Sequence, residues 1–361
     1  MIAHLYVHIP FCPKVCPYCS FYKEASDRNK TRGFLDAVLV EADRQAAQLM
    51  PQTIFFGGGT PTALSTSQLE YLITGLQRRI SFSNVTEFTL EMNPATVSFE
   101  KAAALRRLGV NRVSMGVQNW DAGLLATLGR AHSAAQARRS YEILREAGFE
   151  NINLDLMFGI PGQSRGQWRT TLEKTIALEP NHISAYCLTY EEDTDYFLRV
   201  SSGQYQPDEM LDADLFEMTM DVLEAADFSQ YEISNFASPG GECQHNLAYW
   251  LGSDFLGLGP SAFSTVGSDR WKNVSDTSTY VSAIESGSDP ADFRETLTDR
   301  ARHAERVAFS LRTNRGVPAE VLSPSTAEEF AGIGLLVRHH DRWRLTRKGK
   351  LLADSVAEAF V

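Results

Sequence analysis

The chain has 361 residues and a formal net charge of −11, with 43% hydrophobic and 22% charged residues. That composition is ordinary for a globular protein, and its acidity excludes binding to a phosphate backbone as the main task, which needs clustered Lys and Arg. No run of about 18 apolar residues occurs, so no membrane-spanning helix is expected, although transient contact with a membrane protein stays compatible. Nucleic acid is not an expected partner. The N-terminal MIAHLYVHIPFCPKVC has neither a basic leader nor a small-residue cleavage site, so the expected location is cytoplasmic.

In chain order, strand patterns fall at His4–Ile9, Thr53–Phe56, Glu87–Met92, Arg112–Val117, Asn151–Phe158 and His182–Leu188. Each is short, rich in β-branched or aromatic residues and closed by Gly, Pro, Asn or Gln. Between them lie helical patterns at Lys30–Gln48, Ser67–Ile80, Phe99–Leu108, Ala134–Ala147 and Arg165–Ala177, and Leu108-Gly109 and Ala147-Gly148 act as helix stops. Six strands alternating with five helices predict an α/β fold of right-handed parallel βαβ units, an open sheet or a barrel with its site at the C-terminal strand ends. Cys12, Gly57, Glu91 and Gln118 sit at those ends. Beyond residue 190, Asp208–Ala226 reads as an amphipathic helix. Tyr231–Phe263 is dense in aromatics without clear periodicity. The chain from Ala291 reads as mostly helical, with a strand-like turn at Val337–Leu345 and a last helix at Lys348–Phe360. The expected division is a core over residues 1–230, a connecting region over 231–289 and a smaller, mainly helical C-terminal domain of winged-helix character over 290–361.

Three of the five cysteines fall within eight residues, as Cys12-Pro13-Lys14-Val15-Cys16-Pro17-Tyr18-Cys19. An odd number with one tight cluster argues against a disulfide framework and for metal binding. A four-iron cluster normally takes four thiolates, so three leave one iron open to a bidentate amine and carboxylate. Zinc is the alternative, with His8 or Cys187 as a fourth ligand, but no second spaced pair is present. Pro10, Pro13 and Pro17 oppose a helix here and favour a wrapping loop.

His8-Ile9-Pro10-Phe11-Cys12 through Cys19, followed by Gly57-Gly58-Gly59-Thr60-Pro61, resembles the radical S-adenosylmethionine (SAM) superfamily. More narrowly it resembles the branch that holds the oxygen-independent coproporphyrinogen dehydrogenases and the heme chaperone HemW family, closest to the latter. The resemblance implies a partial (β/α)6 TIM-like barrel and a [4Fe-4S] cluster on Cys12, Cys16 and Cys19. It also implies a SAM site at Tyr6, Tyr18, Gly58, Gly59, Thr60, Glu91, Gln118, Arg130 and Asp155. Read alone, the glycine run could be a tight βα turn, and Glu91 a solvated or capping carboxylate. Asp155, inside the apolar Ile152-Asn153-Leu154-Asp155-Leu156, needs a partner to be buried.

Two departures set the chain apart from the dehydrogenases. They carry a further cysteine where this chain has Phe21, and a long segment before the cluster, whereas Cys12 stands almost at the start. His245-Asn246-Leu247-Ala248-Tyr249-Trp250 matches the HNxxYW motif of the heme chaperones. The resemblance implies heme at His245, with Cys243 an alternative ligand. Without it, a core histidine with two packed aromatics is the plainer reading. Tyr231–Phe236 and Gly257–Ala262 are also family-like. The leading expectation is a carrier that binds a [4Fe-4S] cluster, SAM and heme and passes heme to an acceptor protein. The rivals are a radical enzyme that reductively cleaves SAM and abstracts hydrogen from a porphyrinogen, and a zinc-stabilised binding module. No catalytic residue is assigned.

Overall fold

The computed structural model describes residues 1–25 and 28–360. Among these residues the main element is a nine-stranded sheet. Its centre is six parallel strands: β1 (Ile2–Ile9), β2 (Leu49–Gly58), β3 (Glu87–Met92), β4 (Arg112–Gln118), β5 (Asn151–Phe158) and β6 (His182–Cys187). They neighbour one another in chain order, the singly wound succession of a βα barrel. β3 and β5 have the bounds expected from their patterns. β1 and β2 run longer because Ile2 pairs with Leu49, with a register irregularity before His4 that accommodates Pro51, which cannot donate to a ladder.

The helices Thr66–Gln77, Ala134–Glu146 and Arg165–Ile176 start alike. Ser65, Ser133 and Ser164 each cap the backbone N–H of a glutamine three residues on, which returns the bond, giving three capping boxes. Gly109 (φ +96°) and Gly148 (φ +86°) end the preceding helices in the left-handed region, which glycine adopts without a Cβ penalty.

The pleat of the six strands sorts residues by chemistry. Leu5, Val7, Ile54, Phe56, Phe88, Leu90, Val113, Met115, Ile152, Leu154 and Ile183 are buried within one hydrophobic core. The alternate positions are mostly polar: His4, Tyr6 and His8, then Glu87, Thr89 and Glu91, Arg112, Ser114 and Gln118, Asn153 and Asp155, and His182, Ser184 and Tyr186. The inner surface of the barrel is therefore a polar lumen.

The region after residue 230 is woven into this sheet. Leu256–Leu258 pairs in parallel with β1, and Asn235–Ala237 pairs antiparallel with β6. Gln244–Trp250 and Thr277–Glu285 are helices where the sequence shows little periodicity. Ala291–Thr296, expected to open the helical part, is instead a strand joined to Phe263–Val266 and Asp269–Asn273 in a three-stranded antiparallel sheet. Its residues are mostly polar or charged and exposed, with no buried face to mark a strand.

The C-terminal part combines the helices Asp299–Leu311 and Pro324–Gly332 with a small sheet of Val317–Pro318, Arg342–Leu345 and Leu336–His339. The last helical stretch breaks at Leu352 into Arg347–Leu351 and Ala353–Glu358. These elements share a hydrophobic cluster built on Val307, Leu311, Leu335, Trp343 and Val356. They are tied to the barrel by Arg347 on Asp221 and Glu224, Lys350 on Gln230, and the Asn314 N–H on the Tyr231 carbonyl. Among the described residues no helix is long and apolar enough to cross a membrane.

Candidate functional site

Phe11–Cys12 continues from β1 and pairs in parallel with Glu24–Ala25, so residues 13–23 close a loop over the C-terminal strand ends. No helix forms between Cys12 and Cys19; the Cys19 N–H donates to the Cys16 carbonyl at 3.2 Å. The Cys12 Sγ lies 3.5 Å from the Thr60 hydroxyl. Arg130 donates through Nη1 to the Cys16 Sγ at 3.4 Å and to the Tyr18 hydroxyl at 3.5 Å, and through Nη2 to the Gly116 carbonyl at 3.0 Å. The thiols lie within electrostatic reach of one another: burial pushes Cys12 and Cys19 up, Cys19 and Cys16 raise Cys12 further, and Cys16 adds to Cys19.

This donor set fits a four-iron cluster. Arg130 is held charged although burial opposes it, and its Nε is buried without a partner. A cation with one N–H still unpartnered beside three thiols matches a group that turns them into thiolates and adds negative charge. One zinc ion would need its ligands gathered in a single coordination sphere. Among the described residues no three His, Cys, Asp or Glu side chains are so gathered.

The glycine run is fitted against the cysteine loop. A Cβ on Gly59 would stand 2.6 Å from the Pro10 carbonyl oxygen. One on Gly58, at φ +108°, would stand 2.7 Å from the His8 ring. The Gly59 N–H donates to the Ile9 carbonyl at 2.9 Å, and the Thr60 N–H to that of Phe11 at 2.9 Å. Only glycine lets β2 end this close to the loop.

The remaining expected residues meet at the mouth of the lumen. Tyr6 stacks on Phe55 with ring centroids 6.2 Å apart, and its hydroxyl lies 3.2 Å from the His8 Nδ1. A Cβ on Gly57 would touch Tyr6 and the Glu91 carboxyl together, so these three are neighbours. Glu91 is pushed up to about 8, by burial first and then by the Asp155 charge. Asp155 is also raised by burial, while accepting from Ser114 at 3.2 and 3.1 Å and from Asn153 at 2.7 Å. Gln118 ends β4 at φ +66°, a left-handed conformation unusual for a non-glycine residue, beside a register irregularity. Such local strain is concentrated at ligand sites. Glu91, Gln118, Arg130 and Asp155 are all only partly covered, although the protein walls them closely enough to shift the carboxyls. The mouth is thus an accessible chamber that offers two carboxyls, an arginine and glycine-lined backbone to a zwitterionic ligand.

His245 is elsewhere. Gln244–Trp250 plugs the opposite, N-terminal end of the barrel, where the Glu87 carboxylate accepts from the backbone N–H groups of Gln244 at 2.9 Å and His245 at 3.0 Å, satisfying otherwise orphaned helix donors. The His245 side chain is fully buried. Its Nδ1 bonds the Thr53 hydroxyl at 2.7 Å and its Nε2 the Tyr249 hydroxyl at 2.8 Å. Burial pushes its imidazole down to about 3. Both nitrogens are thus committed in this arrangement, and ligation of iron by His245 would require one of these bonds to break. Cys243 is likewise fully buried, against Glu87. Cys187, the other cysteine raised as a ligand, is exposed at the end of β6.

Sequence reasoning missed the polar lumen beneath the mouth. From Asp155 a chain of bonds runs to Asn153, then to the His182 Nδ1 at 2.7 Å, and from His182 Nε2 to the Tyr231 hydroxyl at 2.8 Å. Because the Asn153 amide nitrogen is spent on Asp155, Ser114 and Ser184, its oxygen accepts and His182 carries its proton on Nδ1. The Tyr231 hydroxyl in turn accepts the Cys243 N–H at 3.3 Å. The available signal was period-two polarity within apolar strands, as in Arg112-Val113-Ser114-Met115 and His182-Ile183-Ser184-Ala185.

Residues 6–175 match the radical SAM superfamily model, which implies SAM and a [4Fe-4S] cluster. The chain is 35% identical to the heme chaperone HemW of Bacillus subtilis, over 99% of this chain and 98% of that protein. It is 34% identical to HemW of Escherichia coli, over 99% and 97%. It is also 31% identical, over 98% and 86%, to the zebrafish mitochondrial radical S-adenosyl methionine domain-containing protein 1. Among solved structures the coproporphyrinogen III oxidase HemN of E. coli, described as a radical SAM enzyme, superposes with a TM-score of 0.85 at 23% identity, covering 99% of this chain and 90% of that one; at that identity the match speaks for the fold. With relatives at this level over their whole length, the chain belongs to the HemW family of radical SAM proteins.

Proposed function

We propose that the chain is a cytoplasmic heme chaperone, which takes up heme and delivers it to an acceptor protein. The single observation that carries this reading is end-to-end similarity to proteins named heme chaperones. Phe21, where the resembled dehydrogenases have a further cysteine, supports it as well. In this reading Cys12, Cys16 and Cys19 hold the cluster, with Arg130 and Thr60 as its near neighbours. Tyr6, Tyr18, Gly58, Gly59, Thr60, Glu91, Gln118, Arg130 and Asp155 surround SAM. The bound cluster supplies an iron open to SAM and a route for one electron. The chain's own residues would orient SAM and shield its charges: the carboxyls complement its positive charge and Arg130 its carboxylate. Ligation of heme by His245 would require breaking its bonds to Thr53 and Tyr249, which favours heme contacts outside the buried plug.

The complete set of SAM residues keeps a radical enzyme as the second reading, and one experiment separates the two. Protein assembled with iron and sulfide without air, then given dithionite and SAM, is expected to take up hemin and release it to an apo heme protein without decarboxylating coproporphyrinogen. Turnover of coproporphyrinogen would overturn the chaperone reading.

SAM binding is expected to depend on pH through Glu91. Its folded value of about 8 lies above the ordinary 4.5. The folded form therefore keeps a proton that the unfolded chain loses, and this group's effect on stability grows less favourable as pH climbs from about 4.5 to about 8. Positive charge brought against Glu91 by SAM favours the carboxylate, so binding releases the proton below pH 8. SAM affinity should rise by up to about tenfold per pH unit toward 8 and then level. Dissociation constants at pH 6.5, 7.5 and 8.5 check this, and Glu91→Gln should flatten the profile.

A further inference from the structure

Where the barrel meets the C-terminal part, a small open pocket of about 50 Å³ is lined by Tyr249 and Phe255 from one side and by Phe309 and two arginines of the Asp299–Leu311 helix, Arg302 and Arg306, from the other. Tyr249 and Phe255 pack edge to face with centroids 4.4 Å apart. The acidic side chains at the pocket are already engaged: Glu305 holds Arg270 at 2.8 and 2.6 Å, and Asp254 accepts the Gly267 N–H at 2.9 Å. The side chains of Arg302 and Arg306, one helical turn apart, have no hydrogen-bond or ion-pair partner among the described residues. The pocket thus combines aromatic walls with two uncommitted guanidinium groups, the fork that recognises carboxylates.

The three-stranded sheet extends this surface. Thr265 and Arg270 line the pocket and are cross-strand partners. Two residues along on the same sheet face, Phe263, Lys272 and Phe293 form a cross-strand row. Phe263 and Phe293 are close to half exposed, and the Lys272 ammonium lies 5.7 Å from the Phe263 ring centroid. Aromatic surface backed by cations suits a flat, apolar anion.

We propose that this surface is the heme-docking site, with the propionates on Arg302 and Arg306 and the macrocycle against the aromatic face of pocket and sheet. The proposal rests on the chaperone reading; it adds the place and the recognising groups, and puts part of the site on the C-terminal helix. Charge complementarity selects the occupant: two free arginines for two carboxylates, and aromatic rings for a porphyrin plane.

The test titrates the full chain with hemin and with hemin dimethyl ester, whose propionates carry no charge, following the Soret band. Wild type is expected to prefer hemin by about a hundredfold, roughly tenfold for each charge-assisted contact. Arg302→Gln/Arg306→Gln should bind both ligands alike, at the affinity wild type shows for the ester. Phe263→Ala/Phe293→Ala should weaken both ligands while keeping the preference. Retention of the hemin preference by the arginine variant, or its absence in wild type, overturns the site and leaves the chaperone reading standing. Failure of wild type to take up hemin at all overturns the chaperone reading itself.

Discussion

Cys16→Ser protein, assembled with iron and sulfide in the absence of air, is expected to lose the four-iron cluster and with it any spectral response to SAM. With three thiolates holding a four-iron group, removal of one leaves two irons unprotected. Loss of an outer-shell partner alone costs metal sites about 10- to 100-fold in affinity, and loss of a ligand should exceed that. The loop should survive, because Phe11–Cys12 still pairs with Glu24–Ala25 and the glycine run still seats against Pro10. Far-ultraviolet circular dichroism should therefore match wild type while iron content and visible absorbance fall. Arg130→Gln gives the graded companion, since it removes the charge beside the Cys16 Sγ and leaves every thiol in place; its loss should stay within the outer-shell range. Wild-type iron content in Cys16→Ser would remove this loop as the cluster site.

Arg112→Met is the substitution expected to disturb the barrel most. Arg112 is 2% exposed and points into the lumen from β4. Burial alone would lower its pKa, yet the surrounding Cys243, Glu87, Tyr231 and Asp155 raise it. Its charge in turn lowers Glu91 and Asp155 and adds to the burial that keeps His182 and His245 neutral. Removing one partner of a buried charge cluster typically costs about 3–5 kcal/mol, and urea unfolding of the variant should show a loss of that size at neutral pH. The sign with pH follows from the carboxyls. Without Arg112, Glu91 and Asp155 shift up further, so the folded form binds more protons than the unfolded one over a wider range. Stability then falls more steeply as pH rises, and the deficit against wild type should shrink as pH drops toward 5. Arg112→Lys keeps the charge and should recover much of the loss. A deficit independent of pH would mean that packing, and not electrostatics, is what Arg112 supplies.

The periodic part of the chain is the part that was legible. Strands such as Glu87–Met92 and Asn151–Phe158 are bounded by local chemistry, and serine–glutamine capping boxes and glycine stops mark the helices, so neighbouring residues carry the information. The cysteine spacing, the glycine run and the polar residues at strand ends are likewise local. Ala291–Thr296 escaped because its partners lie 18 to 27 residues earlier and its largely polar and charged, exposed sequence resembles an exposed helix as much as an edge strand. Leu256–Leu258 escaped because three residues have no period; its identity as a strand is set by pairing with β1.

His245 shows the limit most plainly. Its motif names a chemical type and a family, but whether an imidazole is free to bind iron depends on what surrounds it, and Thr53, Tyr249 and Glu87 reach it from 192, 4 and 158 positions away. By itself the sequence determined an alternating α/β chain, a three-thiolate loop and the family to which both belong, because spacing along a strand or loop is enough to express them. Only the tertiary structure decided that the barrel interior is polar, that His245 is locked in its floor, and that Arg302 and Arg306 share a pocket with the distant Tyr249 and Phe255. Burial and pairing are properties of the folded chain, and no local pattern encodes which distant side chains will desolvate a group or satisfy its hydrogen bonds.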